Sequence, residues 1–213
     1  MPIDLDNLWV YRIIPIQNLE YILQDGLYCK NTHTNVTNFV TIGSKEIITE
    51  RDNRVVKCYP DSVVNDYVPF YFSVRTPMLY NIITGHGVPS RPQKDIIYLC
   101  CKLKRLATEN FQWCFTNGNA AKKITRFTNK LSSLNKLDWH SIETEDFRDA
   151  NSDGDEDRKR KKHAEFLVKN HVPLEYIEEI AVLNEKVKVE VEALLARFGH
   201  AIEVKIKTKY YFL

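Results

Sequence analysis

Residues 95–102 have the sequence DIIYLCCK, an apolar run with one charged residue at each end. A run of this kind without polar alternation is typical of a strand that is buried on both faces of a sheet. Working outward, shorter apolar segments predict further strands at residues 10–14, 68–72, 112–115, 177–183 and 202–206. Strands outnumber long helices and do not alternate with them regularly, so the predicted fold class is α+β.

Short helices are predicted around these strands from apolar residues at helical spacing. They lie at residues 16–23, 45–49, 78–83 and 186–198, with a basic helix that begins near Ala120. Two polar stretches separate them, a loop over residues 30–54 and an excursion over residues 129–162. Within one chain of 213 residues, these elements predict a single domain over residues 1–213.

The charge balance excludes some classes of protein. There are 30 basic and 28 acidic residues, a formal charge of +2, which argues against a polybasic membrane or histone-like protein but allows a local basic groove. No apolar run approaches the roughly 20 residues of a membrane helix. The first residues, MPIDLD, carry acids where a signal peptide carries a basic stretch. We therefore expect a cytoplasmic protein that does not engage a membrane.

Several well-known site patterns are absent from the sequence. The five cysteines form no C-x-x-C pair, so we expect reduced thiols and no metal site. Glycine patterns of P-loop and dinucleotide-binding folds are missing, as are the G-x-S-x-G and H-E-x-x-H motifs. Candidate functional residues in this chain are therefore single residues that belong to none of these motifs.

Glu165 is the most unusual of these residues. It stands between Ala164 and the apolar segment 166–168. A carboxylate in such a place must be paired, hydrogen-bonded, neutralised or functional, because burying an isolated charge is costly. From the pattern alone, a structural ion pair with a neighbouring basic residue and a catalytic role are both open, and the ion pair is favoured.

Three arginines are candidates for binding anions. Arg51 and Arg54 precede an apolar pair in ERDNRVV, and Arg12 lies within the first predicted strand. The planar fork of arginine can clamp a pyrophosphate or a base edge. The alternatives are a solvated charged loop for Arg51 and Arg54, and the polar face of an edge strand for Arg12.

An acidic run followed by a basic run forms the C-terminal end of the excursion. Asp153, Asp155, Glu156 and Asp157 precede the basic block over residues 158–162. Such blocks are usually solvated surface, but a basic rim can also bind a phosphodiester backbone. Aromatic side chains would then stack on unpaired bases, for which the candidates are Tyr67, Tyr71, Trp113 and Trp139, each with core packing as the alternative.

Several segments together carry a resemblance to a known family. They are YRI at 11–13, QNLEYIL at 17–23, DYVPFYF at 66–72, PMLY at 77–80, FTNGNA at 115–120, LDW at 137–139 and KHAEFLV at 162–168. In order and spacing they resemble the DarT family of bacterial DNA ADP-ribosyltransferase toxins over nearly the whole chain. The chain differs at residues 14–15, where Ile-Pro replaces the Thr-His of many members, and at residues 74–77, where VRTP replaces Pro-Arg-Ser-Pro.

The resemblance implies an ADP-ribosyltransferase-like fold, with central mixed or antiparallel sheets flanked by short helices, and NAD+ as co-substrate. It implies catalytic roles for Glu165 and Arg51, with Arg54 as the alternative arginine, a cofactor-covering loop at 30–54 and a DNA-presenting excursion at 129–162. Cofactor contacts are expected from Arg12, Ile13, Asn18, Leu19, Gly26, Arg51 and Tyr71. Contacts to DNA are expected from Arg54, Arg75, Trp139, Lys162 and His163.

The expected reaction is transfer of ADP-ribose to a thymine base of single-stranded DNA, because stacked and paired bases hide the atom that is modified. The resemblance also implies a toxin with a genetically linked antitoxin that removes the modification. Two alternatives remain open. One is the same fold acting on guanine, RNA or a protein side chain, and the other is a non-catalytic module that binds single strands and uses Glu165 as a structural ion pair.

Overall fold

The computed structural model describes residues 3–32, 38–148 and 154–212, so Asp153 of the acidic block and residues 33–37 of the predicted covering loop lie outside it. The strands are β1 (Trp9–Pro15), β2 (Leu27–Tyr28), β3 (Val55–Val56), β4 (Tyr59–Val63), β5 (Tyr67–Tyr71), β6 (Ile96–Lys102), β7 (Trp113–Thr116), β8 (Phe127–Thr128), β9 (Glu165–Lys169), β10 (His171–Val172), β11 (Glu179–Val182) and β12 (Glu203–Ile206). The α-helices are α1 (Leu19–Asp25), α2 (Lys45–Asp52), α3 (Pro77–Thr84), α4 (Leu103–Leu106), α5 (Trp139–Glu143), α6 (Arg158–Lys162) and α7 (Glu185–Phe198).

The main sheet contains eight strands in the order β12-β11-β6-β1-β5-β9-β7-β8. All neighbours are antiparallel except β11 and β12, which are parallel. Two small antiparallel sheets, β2 with β10 and β3 with β4, complete the strands. This mixed sheet with short helices around it confirms the predicted α+β class.

The apolar run at 95–102 forms β6, as its sequence predicts. Residues 96–101 are at most 1% exposed, and β6 pairs with β1 along seven residues, Trp9 to Pro15. Its side chains alternate between two hydrophobic clusters, with Ile97 and Leu99 in one and Ile96 and Tyr98 in the other. Because both faces of the sheet are covered here, every position in the strand is apolar.

The sheet opens between β1 and β5. Strand β5 pairs with β9 at five positions but with β1 at one position, where Tyr11 lies opposite Tyr71. On the far side of β5, Tyr71 lies opposite Glu165. One transverse row of the sheet therefore runs through Tyr11, Tyr71 and Glu165, and this row holds the single pair that joins β1 to β5. The edge-strand interpretation of Arg12 is wrong, because β1 is an interior strand.

Two local predictions are corrected by the structure. The basic helix expected from Ala120 is absent, and residues 117–126 form turns between β7 and β8. Asparagine and glycine in Asn117-Gly118-Asn119 favour turns, and the local backbone bonds, such as Lys122 N–H to Asn119 O, close tight turns instead of a helix. The single helical turn expected at 45–49 is the longer helix α2, which is followed by the unpredicted hairpin of β3 and β4.

The described part of the polar excursion contributes more to the core than its composition suggests. Its side chains Leu134, Leu137 and Ile142 join the main core. In the basic block that follows, Arg158 is 5% exposed and Lys162 is 2% exposed. The interpretation of this block as solvated surface is wrong for these two residues. They belong to α6, which comes shortly before the buried start of β9 along the chain.

No helix in the described part of the chain is long and apolar enough to cross a membrane.

Gly26 ends α1 in a conformation that requires glycine. Its φ is +83° and its ψ is −160°, a region that residues with a Cβ rarely enter. A Cβ atom there would also lie 2.5 Å from the carbonyl oxygen of Val172 in β10. The backbones of α1 and β10 therefore meet at Gly26, which gives this predicted cofactor residue a structural role.

We predict that Gly26→Ala destabilises the protein by about 2–4 kcal/mol, since it combines a strained backbone with a clash. Gly87→Ala is the matched control, because Gly87 has a φ of +70° with nothing within 4 Å of its Cβ position. That control is expected to cost about 1 kcal/mol. Urea unfolding of both variants measures the difference, and equal losses would contradict the clash.

Candidate active site

Glu165 begins β9 and is buried, with 2% of the residue exposed. Its carboxylate accepts hydrogen bonds from Arg51, whose Nη1 lies 3.1 Å from Oε1 and 2.9 Å from Oε2. The backbone N–H of Ala120 donates to Oε1 at 2.9 Å. The backbone N–H of Glu165 donates in turn to Thr116 Oγ1 at 3.0 Å. A buried carboxylate with this many donors is fixed in orientation.

Arg51 lies in the last turn of α2, whose residues include none that are buried. Polar contacts hold this helix over the sheet. The side-chain amide of Asn65 donates to Ile48 O at 2.8 Å and to Asp52 Oδ1 at 2.7 Å, and Lys30 pairs with Asp52. The side chain of Arg51 is 13% exposed and that of Glu165 is 3% exposed, so their ion pair is largely removed from water.

Arg54 has a different set of partners from Arg51. Its Nη2 lies 3.1 Å from each of three carbonyl oxygens, those of Lys122, Lys123 and Thr125. Its guanidinium also lies 5.5 Å from the ring centroid of Phe127. Arg51, and not Arg54, therefore contacts Glu165, and Arg54 supports the turn segment 117–126.

Two of the residues expected to bind the cofactor, Arg12 and Tyr71, lie where β1 meets β5. Arg12 reaches across to β5, with Nη1 donating to Pro69 O at 3.3 Å. Burial lowers the pKa of Arg12, although the nearby Tyr71 and Glu165 counteract this effect. Burial also raises the pKa of the Tyr71 hydroxyl, and the charge of Glu165 adds to that rise. Tyr71 is therefore a neutral hydroxyl beside a charged pair.

The other expected cofactor residues hold the surrounding backbone. Asn18 exchanges two hydrogen bonds of 2.8 Å with the backbone of Val40, which ties α1 to the segment before α2. Ile13 is 4% exposed and Leu19 is fully buried, and both pack into the core. Neither residue therefore presents an exposed group to a ligand, and both support the cofactor side of the sheet from within the core.

A cleft of about 230 Å³ lies beside Tyr11 and contains two of the residues expected to bind DNA, Arg75 and Lys162. Lys162 donates from Nζ to Ile142 O at 2.9 Å and more weakly to Ser73 Oγ at 3.4 Å. Arg75 pairs with Glu145, whose side chain is 71% exposed. The cleft therefore holds two cations, one buried without a carboxylate partner within 4 Å in the described residues and one bound to a carboxylate that water can reach.

Trp139 and His163 are engaged within the protein. The indole N–H of Trp139 donates to Leu134 O at 2.9 Å, and its ring packs edge-to-face on Phe72 at 5.6 Å. His163 is half-buried, with Nδ1 3.0 Å from Lys159 O and its ring 6.1 Å from that of Tyr71. Burial lowers the pKa of His163, so this ring is neutral at neutral pH. The geometry shows core packing for Trp139, which is the alternative that its sequence context left open.

Sequence reasoning missed three groups that shape this site. They are the backbone N–H of Ala120, the hydroxyl of Thr116 and the side-chain amide of Asn65. The turn-forming triplet 117–119 was a usable signal for the first two, because turns place backbone N–H groups toward a ligand or an acid. Nothing in its sequence context distinguishes Asn65.

Across the described ranges, no group of three or more His, Cys, Asp or Glu side chains is placed to hold a metal ion.

Comparisons with known proteins now identify the fold around this buried pair. A family model described as "ssDNA thymidine ADP-ribosyltransferase, DarT" matches residues 11–212. The chain belongs to the DarT family. This confirms the predicted family and enzyme class, a DNA ADP-ribosyltransferase.

The relatives agree with this assignment to DarT. A DNA ADP-ribosyl transferase of Escherichia coli O127:H6 is 31% identical over 205 residues, which cover 95% of this chain and 93% of the relative. The structure of Thermus sp. 2.9 DarT in complex with ADP-ribosylated ssDNA matches with a TM-score of 0.86 at 30% identity, over 96% of each chain. The same Thermus DarT in complex with NAD+ matches with a TM-score of 0.81 at 29% identity, over 96% of this chain and 98% of that one. The predicted ADP-ribosyltransferase-like fold is thereby confirmed.

Burial lowers the pKa of Lys162 from 10.5 to about 8, which predicts a pH-dependent stability. Between about pH 8 and 10.5 the unfolded chain holds this proton while the folded chain does not, so folding becomes more favourable as the pH rises. Relative to Lys162→Met, which cannot titrate, wild type should gain roughly 3 kcal/mol across that window. Urea unfolding of both proteins at pH 7 to 10.5 measures this gain. A pH-independent difference would show that the ammonium is not desolvated.

Proposed function

We propose that Glu165 and Arg51 carry out the transfer of ADP-ribose from NAD+ to a thymine base of single-stranded DNA. The observation that carries this proposal is the buried Glu165 carboxylate, oriented by Arg51 and by Ala120 N–H at the edge of the sheet opening. Family membership supports the reaction, and the geometry supports the assignment of these two residues. The proposal places the cofactor beside Glu165 at the opening between β1 and β5, where a single pair joins the two strands.

The chemistry requires a fixed negative charge at this position. Cleavage of the bond between nicotinamide and C1′ of the ribose releases neutral nicotinamide and leaves positive charge on the sugar, as in glycoside cleavage. The Glu165 carboxylate stabilises that charge and accepts a hydrogen bond from a ribose hydroxyl. A thymine nitrogen then bonds to C1′ and gives up its proton, for which Glu165 is the acceptor. Arg51 orients the base and favours its deprotonated form.

The proposed cofactor contacts follow from the groups around the opening. Arg12 Nε is buried without a hydrogen-bond partner in the described part of the chain, so a donor is free for a cofactor oxygen. Tyr71 contributes a neutral hydroxyl beside Glu165, and the buried Ile13 and Leu19 support the site from the core. Asn18 supports the covering segment through Val40. For Gly26, close packing on β10 favours a supporting role in place of direct contact.

The proposed DNA contacts centre on the cleft with Arg75 and Lys162. A phosphate can replace the exposed Glu145 on Arg75 at low cost, because an ion pair with one solvated partner contributes little. Lys162 contributes a second positive charge in the same cleft. For Arg54, His163 and Trp139, the contacts described above favour shaping of the substrate surface over direct contact with bases. A metal ion has no role in this proposal.

Thymine is the proposed acceptor because the matching family is one of thymidine-modifying enzymes. Guanine, RNA or a protein side chain as acceptor, and a non-catalytic binding module, are the competing functions. The biological role proposed from the family is that of a toxin with a cognate antitoxin that removes ADP-ribose. We also propose that the modified base is held unpaired, because its reactive edge is hidden in a duplex.

We predict that incubation with NAD+ and a thymidine-containing single strand adds about 541 Da per modified base, also in the presence of EDTA. Glu165→Gln is expected to lower the rate by at least about 1,000-fold, since it removes the charge that stabilises the transition state. The matched control is Glu179→Gln, which removes a second buried carboxylate, 6% exposed and paired with Lys205. Glu179 lies in the same transverse row of the sheet on β11, opposite Cys100, and should be dispensable for transfer.

Mass spectrometry with a panel of acceptors measures both predictions. Strands that contain a single thymidine, guanosine or uridine, a duplex and a protein mixture together identify the acceptor. The same adduct on guanosine alone would replace thymine as the substrate. Full activity of Glu165→Gln would remove the catalytic assignment, and absence of any adduct on all acceptors would favour the binding module.

A further inference from the structure

The turn segment 117–126, between β7 and β8, determines where the Glu165 carboxylate points. Ala120 in this segment donates its N–H to Glu165 Oε1 at 2.9 Å, and Thr116 directly before it accepts the Glu165 N–H. The segment forms neither helix nor strand. Hydrogen bonds within the segment, such as Asn117 N–H to Arg126 O, set its turns, and contacts from outside fix its position against β9.

Arg160, in α6, supplies many of these contacts. Its Nη1 donates to Asn117 O and to Thr125 Oγ1, both at 3.2 Å, and so joins the two ends of the segment. Its own carbonyl oxygen accepts the N–H of Asn119 at 3.0 Å. The guanidinium is oriented by Asp157, which accepts from Nε at 2.6 Å and from Nη2 at 2.5 Å. The side chain of Arg160 is 14% exposed, so these bonds are largely removed from water.

Gly118 provides independent evidence that Arg160 packs closely on the 117–126 segment. A Cβ atom at Gly118 would lie 2.1 Å from Arg160 Nη1 and 2.9 Å from Arg160 O. The guanidinium thus rests directly on the Gly118 backbone, in space that any other residue would fill. This glycine is required by close approach and not by its backbone conformation.

We propose that Arg160 and Gly118 act together as positioning residues for the Glu165 carboxylate. The guanidinium packs on Gly118 and holds the 117–126 segment, so that Ala120 N–H meets Glu165 Oε1. Neither residue touches the reacting atoms. This inference rests on the proposed function of Glu165, and it separates one residue of the basic block from the phosphate contacts that its charge suggests.

Loss of Arg160 should slow the reaction without weakening either substrate. Without the guanidinium, Asn117 O and Thr125 lose their donor and the segment can shift, and a displacement of about 1 Å at a catalytic group can cost about 100-fold in rate. We therefore expect Arg160→Ala to lower kcat by about 10- to 100-fold. The dissociation constants for NAD+ and for single-stranded DNA should change by less than about threefold, since positioning acts on the transition state.

The decisive experiment compares Arg160→Ala, Gly118→Ala and the double variant in the transfer assay. Gly118→Ala displaces the guanidinium without deleting it, so it should lower kcat similarly. The guanidinium contact is lost in either single variant, and the approach of the new Cβ to Arg160 O is common to Gly118→Ala and the double variant. The double variant should therefore be no more than about twofold slower than the slower single variant. Arg160→Lys keeps the charge and a bond to Asp157, and should recover part of kcat.

Arg148→Ala is the matched control, because Arg148 also pairs with an aspartate of the excursion, Asp146, but is 81% exposed. Its kcat should equal that of wild type. Thermal unfolding of every variant shows which are folded at the assay temperature, and if Arg160→Ala is unfolded, the comparison rests on Arg160→Lys and Gly118→Ala.

Two results would overturn the proposal. A rise of tenfold or more in the dissociation constant for single-stranded DNA, with kcat unchanged, would make Arg160 a DNA contact. Losses of kcat that multiply in the double variant would show that Arg160 and Gly118 act separately. Glu165→Gln, measured alongside, distinguishes these outcomes from a failure of the proposed function, because full activity of that variant would remove the catalytic role that the positioning serves.

Discussion

The buried ion pair of Glu165 with Arg51 is the constraint on which the rest of the site depends. Burying a carboxylate between two strands of a covered sheet is costly unless hydrogen-bond donors replace water. Here Arg51 and Ala120 N–H supply them, one from the helix above the sheet and one from the turn segment beside it. Both elements are therefore tied to a single side chain, and the sheet opening between β1 and β5 lies next to it.

The two supports of Glu165 differ in stability. The 117–126 segment is held by buried contacts from Arg160 and by three carbonyl contacts from Arg54. Helix α2 includes no buried residue and is held by polar contacts through Asn65 and Lys30. Elements with few buried apolar contacts open at low free-energy cost. The turn segment is therefore the more firmly anchored of the two supports of the Glu165 carboxylate.

The sequence predicts those features that depend on local pattern. The uninterrupted apolar run of β6 identifies a doubly covered strand, and Glu165 is conspicuous at the start of an apolar segment. The family resemblance adds Arg51, which lies 114 positions from Glu165 along the chain. No local pattern relates two residues so far apart, because their contact is made by the tertiary fold.

The basic block at 158–162 shows why other features of the site could not be predicted from the sequence. Charge patterning cannot distinguish a solvated cation from a buried one, since the outcome depends on partners supplied from elsewhere. Lys162 is bound by Ile142 O, and Arg160 by Asn117 O together with Asp157. The same limit applies to Trp139, whose ring packs on Phe72. The partners of a basic or aromatic residue thus decide whether it can contact DNA, and the sequence does not show those partners.

The most direct test of the central pair is a double-mutant cycle on kcat with Arg51→Met, Glu165→Gln and both changes together. If the two side chains act as one unit in the transfer, the double variant is expected to be within about threefold of the slower single variant. Losses that multiply, as for independent groups, would contradict the account.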